Sequence, residues 1–320
     1  MAKNYQEYEK HLTFEEQIDL LIDRGMYVED RKRAANILQD IGYYKLKDFT
    51  YPFASISDTY DKKLKIRYSN ISFNEVIFRY NQDKDFRLSL LHSIEDIEVS
   101  IKTQIAHTLS ARYGAMGYLN FSSWSNREVY NKKTIKLIEK QFKYTLHNSV
   151  KRVKKSEFEH YKIEGEFPTV WVMVDIISFG EVIKLLDCMS TANLKEISNH
   201  YRCTKNELVT WMNLIKIVRN ICAHNKNGID LKINTMPIVR EEWKDFMFLF
   251  KNNAPTNRVA LVICIVIYLA HEINPNSSFD NICNPIKKLI NDSDHIARRY
   301  GFKNAQSISD FQDFIKNLRR

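Results

Sequence analysis

The residues of this sequence best suited to chemistry lie in one short run, Arg219-Asn220-Ile221-Cys222-Ala223-His224-Asn225. A guanidinium and an imidazole stand five residues apart at the end of an apolar, helix-patterned stretch. Arginine's planar fork fits phosphate oxygens and the added charge of a pentavalent phosphorus. Histidine takes up and releases a proton near neutral pH. Together they suit phosphodiester chemistry. On an ideal helix a five-residue separation is a rotation of about 140°, so the two share a face only where the helix ends or bulges. Asn225, with Gly228 behind it, is a suitable left-handed terminator. That places His224 on the last turn. The same residues also fit a structural reading, an imidazole on the C-terminal helix dipole and an arginine in an ion pair.

A carboxylate bears on that arginine. Leu90, Ile94, Ile97, Ile101 and Ile105 recur at helical spacing, and Glu98 falls about 40° from Ile94 on the same wheel, inside the apolar stripe. A carboxylate facing a core needs a partner. Arg219 holds the corresponding position on its own helix, so an Arg219–Glu98 contact would orient the guanidinium. Pairing of Glu98 with another arginine for structure alone fits equally well; Arg87, on the same stripe, is an alternative core charge. No metal or cofactor is expected. His92, His107, His147, His160, His200 and His271 show no ligand spacing, Cys188, Cys203, Cys222, Cys264 and Cys283 form no C-x-x-C pair, and no phosphate-binding glycine motif occurs.

The second concentration of potential function is charge. The chain carries Lys+Arg 48 against Asp+Glu 39, a formal net charge of +9. Residues 131–155 hold Lys132, Lys133, Lys136, Lys140, Lys143, Lys151, Arg152, Lys154 and Lys155 against Glu139 alone; nine cations less one carboxylate leave +8. Lys132, Lys136, Lys140 and Lys143 share one helical face, and Trp124, Tyr130, Phe142 and Tyr144 are interleaved. Such a stripe suits a phosphate backbone, with rings available to stack on bases. A solvated lysine face is the blander alternative. Membrane binding is not expected, because no strong hydrophobic face accompanies the charge.

The elements that must position these groups read as helices. Gly 8 and Pro 6 are scarce for 320 residues, which argues against a sandwich or barrel. Thr13 with Glu16 opens a helix that ends at Gly25, and a second covers 30–41. Residues 42–53 read as a packed loop or short strand, and 54–72 as a loop or hairpin. Ser72 caps a long helical region to Gly114, broken near Asp83. Further helices are expected at 126–155, from Pro168 through Ile183 with an interruption at Gly180, and at 204–222, 237–251, 257–272, 279–290 and 307–318. The apolar run Val259 to Ala270 is short of the ~20 residues that span a bilayer. The polar N-terminus and unpatterned cysteines fit a cytoplasmic protein.

Several segments, in order along the first 230 residues, carry a family resemblance. They are Leu12-Thr13-Phe14-Glu15-Glu16-Gln17, Arg24-Gly25-Met26, Ile41-Gly42-Tyr43-Tyr44-Lys45-Leu46, Ile94-Glu95-Asp96-Ile97-Glu98, Tyr113-Gly114, Trp171-Val172-Met173-Val174 and Ser178-Phe179-Gly180. With the Arg-Asn-x-x-x-His motif they resemble the Abi-like, AbiD/AbiF-type abortive-infection proteins with a HEPN ribonuclease core. The chain departs from the pattern after the histidine, where Asn225-Lys226-Asn227-Gly228 stands and relatives often carry a second His or an Arg and Asn. The resemblance implies a role in phage defence and metal-independent RNA cleavage. The catalytic set is then Arg219, Asn220 and His224, to which the helical arithmetic above adds Glu98, and the resemblance further implies association with a small noncoding RNA and a homodimer in which two motifs face each other. The expected architecture is all-α: an N-terminal helical and aromatic appendage at 1–72, a HEPN-like helical bundle at 73–272 with the basic insertion at 126–167, and C-terminal helices at 273–320. A noncatalytic RNA-binding scaffold is the rival function.

Overall fold

The computed structural model describes residues 11–58, 64–153 and 166–318. The fold is all-α, and the described residues add one two-stranded antiparallel sheet. The chain divides into two compact units, residues 1–85 and 86–320.

In the first unit, α1 (Phe14–Asp23) begins on a capping box. The Thr13 hydroxyl accepts from the Glu16 amide, and the Glu16 carboxylate accepts from the Thr13 amide. Helix α2 (Arg31–Ile41) is capped by Asp30 and packs on α1. Between them Gly25 adopts φ +98°, and a Cβ there would meet the Tyr68 carbonyl at 2.6 Å, so Arg24-Gly25-Met26 needs its glycine for a close backbone approach. Residues 42–53 differ from the loop or strand expected. They form α3 (Tyr43–Lys47) and a 3₁₀ turn at Tyr51–Phe53, where the Phe49 and Tyr80 rings meet edge to face at 5.6 Å. Strands β1 (Ala54–Asp58) and β2 (Leu64–Tyr68) make the sheet.

Helix α4 (Phe73–Tyr113) is continuous for 41 residues. The expected break near Asp83 does not occur: the helix interior holds neither Gly nor Pro, and Val76, Phe86, Leu90 and Ile94 keep one buried stripe running through it. Gly114, at φ +76°, stops it.

In the second unit the short α5 (Phe121–Trp124) precedes the basic helix α6 (Lys132–Arg152), which starts on Asn131, later than residue 126. The helix expected from Pro168 is two, α7 (Val170–Ile176) and α8 (Phe179–Cys188). Ile177 is extended, and Ser178 turns its hydroxyl to the Glu181 amide, so the serine cap rather than Gly180 makes the interruption. Helix α9 (Thr191–His200), absent from the sequence reading, precedes α10 (Lys205–Ala223), which opens on a Thr204/Glu207 capping box.

The expected helix at 237–251 is a 3₁₀ turn, Glu241–Phe246, with a second 3₁₀ turn starting at its end, Lys251–Asn253. Its backbone is paid in tertiary hydrogen bonds instead of i→i−4 ones. Trp211 Nε1 donates to the Ile238 carbonyl at 2.7 Å, the Ile238 amide donates to Thr210 Oγ1 at 3.2 Å, and the Phe248 amide donates to the Gly301 carbonyl at 2.9 Å. The segment thereby lays Trp243 against Trp211, ring centroids 5.2 Å apart. Helix α11 (Val259–Ile273) is buried from Val259 through His271, and no helix of the described residues is long and apolar enough to cross a membrane. Helices α12 (Asp280–Ile290), α13 (Asp294–Tyr300) and α14 (Ser307–Lys316) follow; α13 also escaped the sequence pattern.

Candidate active site

The site is built where α10 ends beside α4. Leu208, Trp211, Ile215, Val218 and Cys222 bury one stripe of α10. That orientation leaves Asn220 and His224 exposed and Arg219 half-exposed. The helix closes on a Schellman turn. Asn225 is left-handed at φ +54°, its amide donates to the Cys222 carbonyl at 3.2 Å, and the Lys226 amide donates to the Ile221 carbonyl at 3.0 Å. His224 is the C-cap, its amide bonded to the Asn220 carbonyl at 3.0 Å. The backbone of the imidazole-bearing residue is therefore pinned while its side chain faces solvent.

Two groups on α4 hold this end of α10. Arg87, a buried guanidinium, donates to Asn225 Oδ1 at 3.0 Å and reaches the Cys222 carbonyl at 3.5 Å. Further along α4, Glu98 Oε2 lies 3.8 Å from Arg219 Nε while its Oε1 lies 2.8 Å from Lys102 Nζ. The order of these contacts is that of antiparallel helices. Glu98 thus stands beside Arg219, while the cation closest to it is a lysine, Lys102, that neither alternative named. Arg87 serves the turn that carries His224. Lys102 was missed by sequence reasoning, although its position four residues beyond Glu98 is an ordinary helical ion-pair signal.

Arg219, Asn220, His224 and Glu98 are thus gathered in one place. The remaining candidates line α6. Lys132, Lys133, Lys136, Lys140, Lys151 and Arg152 are exposed. Lys143 differs, being ion-paired to Glu139 at 2.6 Å, and Glu139 also accepts from the Phe121 amide at 3.1 Å. Lys154, Lys155 and His160 lie outside the described residues. Of the interleaved rings, Trp124 and Phe142 are core, Phe142 packing on Phe121 at 5.4 Å, and Tyr144 is exposed. Among the described residues no group of three or more His, Cys, Asp or Glu side chains is placed to hold a metal ion.

An exposed imidazole and amide, with a guanidinium set beside a carboxylate on a pinned helix end, can bind and polarise a phosphate. Residues 36–229, more than half of the chain and the whole of this site, match the Abi-like protein family. The chain belongs to that family, and membership supports a role in abortive infection. No curated protein and no solved structure matches it.

Proposed function

We propose that the chain is a cytoplasmic, metal-independent ribonuclease of the HEPN type, of the AbiD/AbiF branch, that acts in abortive infection in association with a small noncoding RNA. The observation that carries the reading is the end of α10: Asn220 and His224 open to solvent, and Arg219 beside Glu98 with much of its side chain still accessible. In the reaction a ribose 2′-oxygen attacks the adjacent 3′ phosphate. The O2′–P bond forms, the P–O5′ bond breaks, and the products are a 2′,3′-cyclic phosphate and a 5′-OH. His224 takes the 2′ proton or delivers one to the leaving 5′ oxygen. Arg219 stabilises the pentavalent state, Asn220 positions the phosphate, and Glu98 positions Arg219.

One imidazole cannot be acid and base in the same step, so the active unit is a homodimer with two motifs at one phosphate. Ile217 supports this reading: it is a large exposed apolar side chain on the same face of α10 as Asn220 and His224. The test is cleavage of RNA by protein freed of bound RNA. Cyclic phosphate ends should appear, in EDTA as in magnesium, and disappear in His224→Ala. Specific activity should fall on dilution, and a stable monomer with full activity overturns the dimer. The exposed lysines of α6 favour a second reading, a noncatalytic RNA scaffold. Protein that binds RNA and never cuts it, in either metal condition, would establish that one.

A further inference from the structure

The basic helix α6 carries more than charge on its exposed side. Lys133, Leu137, Lys140, Tyr144 and Lys151 follow one another at steps of four, three, four and seven residues, which is one helical face. Leu137 is 68% exposed and Tyr144 70%, so the centre of the lysine face is apolar and aromatic. The opposite side of the helix is already used, with Ile135, Phe142 and Leu146 buried and Phe142 set against Tyr118 and Phe121. Tyr144 is therefore not needed by the core. A solubilising face gains nothing from a leucine and a tyrosine at its middle.

We propose that this face binds unpaired RNA, with Tyr144 stacking on a base while Lys133, Lys140 and Lys151 follow the phosphates. The proposal rests on the RNA-binding part of the function above and adds the form of RNA and the residue that selects it. Charge complementarity calls for a polyanion. The ring decides between its forms: in a duplex the bases are stacked and paired, and A-form RNA is met through phosphates and 2′-hydroxyls, which leaves an aromatic side chain no partner. A single strand offers free base faces beside its phosphates, and such stacking tolerates any base. From Lys133 to Lys151 the helix runs about 27 Å, long enough to follow several consecutive nucleotides. Lys143 takes little part, because Glu139 neutralises it.

The test is binding of the full chain, in a His224→Ala background so that no probe is cut. The probes are a single-stranded oligoribonucleotide, the same strand in a perfect duplex, and vesicles of anionic phospholipid. Tyr144→Ala should weaken single-strand binding about tenfold and leave the duplex unchanged, while Tyr144→Phe keeps the affinity. Lys133→Glu with Lys140→Glu should weaken binding further and flatten its salt dependence. Unaltered single-strand binding in Tyr144→Ala, with the melting transition intact, overturns the proposal. So does an equal loss for the duplex, or Tyr144-dependent binding to vesicles but not to RNA. Because binding is read without cleavage, failure of the catalytic reading and failure of this one are separable.

Discussion

Helix α10 carries an arginine–glutamate pair at each end, and the two are built differently. At the N-terminal end Arg240 Nε meets Glu207 Oε1 at 2.9 Å, its NH2 donates to the Arg202 carbonyl at 2.8 Å, and its guanidinium carbon lies 4.1 Å from the Tyr268 ring centre and 5.2 Å from that of Trp211. Its side chain is 16% exposed. At the C-terminal end Arg219 stands 3.8 Å from a carboxylate that is closer to Lys102, and its side chain is 40% exposed. Arg240 spends its donors and its π-face on the protein. Arg219 is oriented by a carboxylate without being consumed by it. The first is how an arginine is used to fasten a segment, here 233–258, to a helix. The second leaves the guanidinium accessible, as the proposed phosphate role requires.

Mutations can break or sharpen this contrast. The largest effect is expected at the open end: Arg219→Ala or His224→Ala should lower RNA cleavage by about a thousandfold, roughly 4 kcal/mol of barrier, while the thermal midpoint hardly moves. Calorimetry and a cleavage time course on the same samples check it. Cleavage that survives in both variants would leave the two ends alike. Next comes the closed end. Arg240→Ala leaves the Glu207 carboxylate with the Thr204 amide but no cation and uncovers the rings, and should cost about 3 kcal/mol of stability, with cleavage per folded molecule unchanged in the cold.

The closed end also has a pH signature. Burial pushes the Glu207 carboxyl up, but its hydrogen bond from the Thr204 amide and the Arg240 guanidinium outweigh this, and the group sits below its ordinary value. Its contribution is therefore present above the ordinary carboxylate range and is lost as pH falls through the lowered folded value. In urea titrations Glu207→Gln should flatten the acid limb of the stability profile, and an unchanged limb would remove Glu207 from the account.

A smaller effect is expected from Glu98→Gln. The pair is partly open, so its loss should cost about 1 kcal/mol or less of stability. Turnover should drop about tenfold at unchanged KM, because the guanidinium is then less well aimed. A matched fall in stability and turnover would make Glu98 structural. The smallest is at the turn: Asn225→Val, forced to positive φ, should cost about 1 kcal/mol on that account and misplace His224, and Asn225→Gly should recover the backbone share alone, because either variant loses the Oδ1 that accepts from Arg87.

Much of this was legible in residue order. Glu98 falls in the stripe of Ile94, Ile101 and Ile105 by helical arithmetic, and those isoleucines are fully buried. Thr13 with Glu16, and Ser72, announced their helices as caps, and both caps form. The illegible parts share a cause. Segment 237–251 has the composition of a helix, but Trp243 is worth more against Trp211 and Tyr268 than on a helix face. The centre of the α6 face was also hidden, because its ring has the same letter whether it is buried or open. Phe142 packs beneath the helix and Tyr144 stands clear of it.

What the sequence determined by itself was local. Helices α1, α2, α6, α8, α9, α10 and α13 start at side chains that cap their own amides, α2, α4, α10, α12 and α13 stop where a glycine or asparagine takes positive φ, and Arg219 and His224 lie on one helix end by spacing alone. Only the tertiary structure decided what those side chains are left free to do. Lys102 and Arg219 share Glu98, Arg87 pins the turn under His224, and Arg240 is enclosed while Arg219 is not. Capping and periodicity act within one turn of chain, so they can be read from order. The exposure of a charge depends on partners 121 and 135 residues away, as for Arg219 with Glu98 and Arg87 with the Cys222 carbonyl, and no local rule carries that far.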